Sequence, residues 1–181
     1  MQFDQIKLLL LDVDGVLTDG RLCYTADGES SKVFHVQDGC GIKLWQAAGG
    51  LVGLLSGREG SMLSLRARDL GIALVRAGQR DKLAGYLAVL AECHVVDAEV
   101  AYVGDDLPDL GPLRRCALPV AVANAVPAVK RAAAYVTRRC GGEGAVAEVV
   151  EYVLRKQQRW ASACRRVSAE DGGDAPGGRG A

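Results

Sequence analysis

Short apolar runs of strand length alternate with amphipathic stretches of helical length along most of the chain, and this alternation restricts the fold more than any other feature. Residues 7–13, 51–55, 72–75 and 100–103 read as buried strands, and 117–123 reads the same way. Between them, residues 41–48, 60–70, 82–93 and 108–115 carry apolar positions at helical spacing. Strand and helix in alternation predict an α/β fold, a parallel sheet with helices on both faces. In such a sheet a ligand site lies outside the carboxyl ends of the strands. The 181 residues, about half apolar and about a quarter charged, suffice for one domain with a sizeable core.

Residues 20–36 interrupt the alternation. Residues 22–25 and 32–36 are β-prone, and Asp27-Gly28 is a turn signal between them, in a connection longer than two residues. A β-hairpin projecting from the exit of the first strand is expected. A lone hairpin is marginally stable, so it should pack on something, and another subunit is a candidate. Asn124, three residues before Pro127, predicts a helix start with the helix running to about residue 134. A last helix is expected over about residues 144–159. The domain should cover residues 1–160 and be followed by a flexible C-terminal tail over 161–181. Residues 168–181, rich in Gly, Asp, Ala and Ser, have little to bury.

Charge and cysteine usage exclude several function classes. The formal net charge is zero, which gives no broad electrostatic basis for binding nucleic acid or an anionic membrane. The first residues lack a basic stretch followed by an apolar run, and no segment reaches the ~20 apolar residues that span a bilayer. The six cysteines are scattered without a C-x-x-C pair, so thiol-held metal is not expected and reduced thiols in the cytoplasm are.

Four features fall at strand ends or helix starts. The first is Asp12-Val13-Asp14-Gly15-Val16-Leu17-Thr18-Asp19 after a run of leucines. Side chains two apart on extended chain share a face, so Asp12 and Asp14 can point into one space, and Gly15 allows a sharp turn. Two close carboxylates need a cation or a proton, and Mg2+ with its oxygen ligands suits them. The second, Ser56-Gly57-Arg58, offers a hydroxyl and backbone N–H groups to an anion. The third, Lys82, offers a point charge near a helix start. The fourth, Gly104-Asp105-Asp106-Leu107-Pro108-Asp109, is an acidic turn after a strand. Taken singly, each has an ordinary explanation: a solvated D-x-D turn, a capping serine, a surface lysine, loop acids. Taken in order, they describe phosphoryl transfer through an aspartate. Asp12 attacks phosphorus, Asp14 protonates the leaving oxygen and then activates water, and Ser56, Lys82 and magnesium offset the repulsion between carboxylate and phosphate.

These residues resemble the four motifs of the haloacid dehalogenase superfamily: D-x-D-G-x-x-T-D, S-G-R, a later Lys and G-D-D-x-x-D, over about residues 6–155. The resemblance implies a Rossmann-like parallel sheet with a β-hairpin insertion and no cap domain, since about 15 residues separate Thr18 from Phe34. It implies Asp12 as nucleophile, Asp14 as general acid/base, and Ser56 and Lys82 on phosphate. Magnesium would be held by Asp12, the backbone carbonyl of Asp14 and Asp105, supported by Asp106 or Asp109.

The hairpin, Val36-Gln37-Asp38-Gly39-Cys40-Gly41-Ile42 and Gly141-Gly142-Glu143-Gly144-Ala145-Val146 resemble, more narrowly, the capless 3-deoxy-D-manno-octulosonate 8-phosphate phosphatases of lipopolysaccharide synthesis. That implies a cytoplasmic homotetramer acting on a sugar-acid phosphate. Gln37, Glu143 and Ala147 stand where the family often has Arg, and Ser61 where many members have Lys. Gly57, Arg58 and Arg66 remain as candidate substrate-binding residues. A nonulosonate 9-phosphate phosphatase is the alternative enzyme, and a non-catalytic module of the same fold the alternative outside catalysis. A signalling receiver domain has its acids in a different order along the chain. His35 is read as a hairpin-strand packing residue, His94 as a helix-end residue and Trp45 as core.

Overall fold

A computed structural model describes residues 2–26 and 28–170. The chain runs through β1 (Leu8–Leu11), β2 (Cys23–Thr25), β3 (Gly28–Ser31), α1 (Val36–Ala47), β4 (Leu51–Leu55), α2 (Ser61–Leu70), β5 (Leu74–Arg76) and α3 (Lys82–Cys93). It continues through β6 (Val100–Gly104), α4 (Leu110–Leu113), β7 (Leu118–Ala121), α5 (Pro127–Ala132), β8 (Tyr135–Val136), α6 (Ala145–Lys156) and α7 (Trp160–Glu170). Six strands form one parallel sheet in the order β5-β4-β1-β6-β7-β8. The four leucines of β1 are all buried, as a central strand covered on both faces requires. β4 and β5 lie on one side of β1 and β6 on the other, so the chain reverses its direction of progress across the sheet at β1. That switch point opens a crevice at the carboxyl ends of β4, β1 and β6.

Between β1 and β4 the chain makes only the β2–β3 hairpin and α1, so there is no cap domain among the described residues. The hairpin differs from expectation. Thr25 pairs with Gly28, a tighter connection than the sequence suggested, although Asp27 itself lies outside the described residues. The return strand is Gly28–Ser31 and lies wholly before the expected stretch of residues 32–36. His35 is consequently not on a strand: it is the N-cap of α1, and its Nδ1 accepts from the Gln37 N–H at 3.2 Å. This cap starts α1 five residues earlier than apolar spacing indicated, and the added turn includes Gly39. Trp45 is core, 1% exposed, and its indole N–H donates to the Leu51 carbonyl at 2.8 Å.

Other boundaries shift for local reasons. Asn124 does not cap α5; its side chain accepts from the Gly141 N–H at 2.8 Å, and the helix begins at Pro127. The last expected helix is α6, which ends at Lys156 shortly before Gln158 takes a left-handed conformation (φ 57°). The next, α7, occupies residues assigned to the tail. It is tied to the end of α1 by Arg166, whose Nη1 donates to the Ala47 carbonyl at 2.8 Å. Residues 171–181 of that expected tail lie outside the described residues.

The glycine-rich segment and the start of α1 are joined by a buried carboxylate. Asp38, 1% exposed, accepts from the backbone N–H of Ala147 at 2.9 Å and of Gly144 at 3.3 Å, in the first turn of α6. Beside it α1 and α6 are in close backbone contact: a Cβ on Gly41 would lie 2.8 Å from the Cα of Ala147. Replacing Asp38 with Ala leaves two N–H groups without their acceptor. Urea denaturation of Asp38→Ala is expected to show a loss of about 1–3 kcal/mol with an unchanged slope. A loss under about 0.5 kcal/mol, the scale of an ordinary surface change, would contradict this role.

Candidate active site

The carboxyl end of β1 delivers Asp12, 4% exposed, into the crevice. Its N–H still bonds the Val103 carbonyl of β6 at 3.0 Å, so the nucleophile candidate is held by the sheet itself. The chain then leaves through Gly15 at φ +95°. A Cβ there would fall 2.0 Å from an oxygen of Asp105, so glycine supplies both the turn and the room for that carboxylate. Thr18, 2% exposed, closes the loop: its hydroxyl accepts from the N–H of Gly15 and of Gly20, each at 3.3 Å. The D-x-D-G-x-x-T pattern thus has a local reason at each of its fixed positions.

Lys82 arrives from the opposite side of the crevice as the first residue of α3. Asp81 is the cap of that helix, its Oδ1 accepting from the N–H of Leu83 and Ala84 at 3.0 Å. The cap fixes the point from which Lys82 projects. The Lys82 ammonium lies 2.8 Å from Asp12 Oδ1 and 2.6 Å from Asp109 Oδ1. Asp12, Asp105 and Asp109 each offer an oxygen within 4.8 Å of the others.

The sequence could not rank Asp106 against Asp109, and the structure separates them. Asp109 is fully buried. Its Oδ1 also accepts from the Tyr102 hydroxyl at 2.7 Å, and its Oδ2 accepts from the N–H of Asp105 at 2.9 Å and of Asp106 at 3.1 Å. Asp106 is exposed and accepts from the Leu107 N–H at 2.8 Å. Asp109 therefore belongs to the cluster and Asp106 to the rim.

The remaining predicted residues make other contacts. Ser56, 2% exposed, ends β4, and its Oγ accepts from the Arg58 N–H at 3.1 Å. Gly57 is exposed in the same turn. Arg58 donates from Nη1 to the Tyr24 hydroxyl of the hairpin at 2.9 Å. Arg66, on α2, is half-buried under the hairpin exit; it donates to the His35 carbonyl at 3.5 Å and sits 5.5 Å from the centre of the Phe34 ring. Asp14 does not join the three acids around Lys82. Its Oδ1 pairs with the ammonium of Lys32.

Sequence reasoning missed the parts played by Lys32, Tyr102 and Arg139, and the contact that Gly141 and Gly142 make. Lys32 read as part of a β-prone stretch, and Tyr102 as one apolar position in a strand. Arg139 holds Gln37, its Nη1 donating to Oε1 at 2.6 Å, so a cation stands beside the position where Arg is usual. Gly141 and Gly142 press on the Asp12 loop: Cβ atoms there would lie 1.7 Å from the Gly15 carbonyl oxygen and 2.4 Å from the Asp19 nitrogen. The glycine spacing was the only signal for that contact.

The electrostatics favour a bound cation. Burial raises the pKa of Asp12 well above the carboxylate range, and the charge of Asp109 adds to this against the pull of Lys82. Asp105 is pushed up to about 6, mainly by burial. Burial alone would lower Lys82, but the charges of Asp12 and Asp109 outweigh it and hold its pKa up. With all three carboxylates ionised, the single ammonium would leave two negative charges unmatched, and Asp105 Oδ1 is buried without a hydrogen-bond partner. An orphaned carboxylate oxygen beside two more carboxylates fits a hard divalent cation.

The native fold keeps on Asp105 a proton that the unfolded chain releases near pH ~4. Without divalent ions, stability attributable to this group is therefore lost as pH rises from about 4 through about 6. In EDTA, the stability gained in Asp105→Asn over wild type should accordingly be larger at pH 7 than at pH 4.5, and millimolar magnesium should raise the thermal midpoint of wild type more than that of the variant. Equal differences at both pH values would place Asp105 among ordinary carboxylates.

The chain is similar to known proteins. A model of the haloacid dehalogenase-like hydrolases matches residues 66–150. The chain is 41% identical over 156 residues to the 3-deoxy-D-manno-octulosonate 8-phosphate phosphatase of Haemophilus influenzae, covering 86% of this chain and 87% of that one. To the Yersinia pestis enzyme of the same name it is 42% identical, over 85% and 82% of the two chains. The crystal structure of the Moraxella catarrhalis enzyme in complex with magnesium, phosphate and KDO superposes with a TM-score of 0.88 at 34% identity, covering 92% of this chain and 95% of that one. The cobalt-bound Haemophilus influenzae structure superposes with a TM-score of 0.87 at 38% identity, covering 91% and 99%. With the fold and the identity over more than four fifths of each chain in agreement, this chain belongs to the haloacid dehalogenase-like hydrolases, in the family of 3-deoxy-D-manno-octulosonate 8-phosphate phosphatases.

Proposed function

We propose that this chain is a magnesium-dependent phosphomonoesterase that hydrolyses 3-deoxy-D-manno-octulosonate 8-phosphate to the free sugar acid and phosphate. The observation that carries the chemistry is the buried cluster in which Lys82 bridges Asp12 and Asp109 beside Asp105. The substrate rests on the relatives of that name at 41–42% identity.

Asp12 attacks phosphorus as the bond from phosphorus to the sugar oxygen breaks, and Asp14 gives that oxygen its proton. The aspartyl-phosphate is then attacked at phosphorus by water, whose proton returns to Asp14, and phosphate leaves with Asp12 regenerated. Lys82 and Ser56 hold phosphoryl oxygens through both steps. Asp12, Asp105 and the Asp14 carbonyl would hold magnesium, which would supply the positive charge that lets an anionic ester approach an anionic carboxylate. Asp109 fixes Lys82 and the Asp105 backbone. Gly57, Arg58 and Arg66 border the substrate, the arginines facing its carboxylate.

The hairpin exposes Tyr24 (58%), and the segment after it exposes Val33 (78%) and Val36 (83%), which supports a subunit contact there and hence a homotetramer. No helix among the described residues is long and apolar enough to cross a membrane, in keeping with a cytoplasmic enzyme of lipopolysaccharide synthesis.

The test is magnesium-dependent phosphate release from the eight-carbon 8-phosphate, two nonulosonate 9-phosphates and simple hexose phosphates. A kcat/KM preference of about a hundredfold for the eight-carbon acid, or about 2.7 kcal/mol, is expected, with activity abolished in Asp12→Asn. A comparable preference for a nine-carbon acid would move the assignment to the sister substrate. Full activity in Asp12→Asn would overturn the mechanism.

A further inference from the structure

We infer that Lys32 is a positioning residue for the general acid: through its ion pair with Asp14 it makes the hairpin part of the proton-transfer machinery. This inference rests on the phosphatase reading and adds a residue to it. The side chain of Lys32 is 3% exposed, although the strand that leads to it, with the sequence Gly-Glu-Ser-Ser, has no apolar side chain to draw it inward. An ammonium taken out of water needs a paired anion, and Asp14 Oδ1 is that anion.

The two acids of the D-x-D pair are thus matched to two different lysines. Lys82, from α3, faces Asp12, and Lys32, from the hairpin exit, faces Asp14. The separation is chemically useful. A nucleophile and a general acid two residues apart must not share one cation, because the same lysine would draw both carboxylates to one place. Holding Oδ1 of Asp14 restricts rotation of its carboxyl and so fixes the other oxygen relative to β1. The hairpin that carries Lys32 is itself braced on the other side of the crevice, where the Tyr24 hydroxyl accepts from Arg58. Movement of the hairpin would therefore displace the proton donor while Asp12, held by the sheet, stayed in place.

The distinguishing readout is the dependence on the leaving group. A sugar alkoxide needs a proton as the phosphorus–oxygen bond breaks, and a 4-nitrophenolate does not. Because kcat/KM reports formation of the aspartyl-phosphate, Lys32→Met and Lys32→Gln should lose roughly tenfold or more on the sugar-acid phosphate. Their loss on 4-nitrophenyl phosphate should be smaller by at least about fivefold. Lys32→Arg should recover part of the lost rate. In an Asp14→Asn background, Lys32→Met should cost less than about twofold further on the sugar ester, because the group it positions is already gone.

Equal losses on the two esters, or losses that multiply in the double variant, would reduce Lys32 to a structural anchor and overturn the inference while leaving the phosphatase reading intact. Wild-type protein inactive on both esters would overturn the phosphatase reading and this inference with it.

Discussion

Lys82 stands between two carboxylates in a place almost without water, and much of the structure around β1 serves to hold that arrangement. Three acids crowded around one ammonium repel one another, and burial makes Asp12 and Asp105 harder to ionise. Such a centre survives because its oxygens are occupied. Asp109 spends both on four donors, Asp12 shares Lys82, and Asp105 alone keeps a buried oxygen without a partner. The electrostatic strain is therefore concentrated on the side where a cation and a phosphate would enter. A site that tightens when positive charge arrives is suited to bring a carboxylate and a phosphate ester together.

The backbone is arranged to the same end. The sheet fixes Asp12, the Asp81 cap fixes the start of α3, and Gly15 turns the chain away while leaving space for Asp105. Gly141 and Gly142 then press on that turn at distances no side chain would permit. Asp38 links the base of this glycine segment to α1. The glycine-rich motif that resembled part of a substrate site thus acts at least as much on backbone packing. The hairpin stands apart from the core, yet it touches the crevice at both Asp14 and Arg58.

Much of this was legible in the sequence because it depends on local pattern. Unbroken apolar runs marked the inner strands, and residues at strand ends marked the site. Tyr135–Val136 was missed as a strand because two residues carry no periodicity, and its pairing with β7 is a tertiary fact. The early start of α1 was hidden by Gly39, whose helical place brings it into close contact with Arg66. Lys32 was invisible for a different reason. A lysine beside a β-prone stretch reads as solvent-facing, and only the path of the hairpin turns it inward. The split between Asp106 and Asp109 likewise follows from a turn geometry that spacing alone does not contain.

The central claim is that Asp12 becomes phosphorylated. Rapid acid quench of the full chain, mixed with magnesium and 3-deoxy-D-manno-octulosonate 8-phosphate, followed by peptide mapping, tests it most directly. One phosphoryl group on the peptide containing Asp12, removed by hydroxylamine and absent in Asp12→Asn, is the predicted result. Phosphate release with no trapped phosphoenzyme at any quench time, or with the phosphoryl group on another residue, would contradict it.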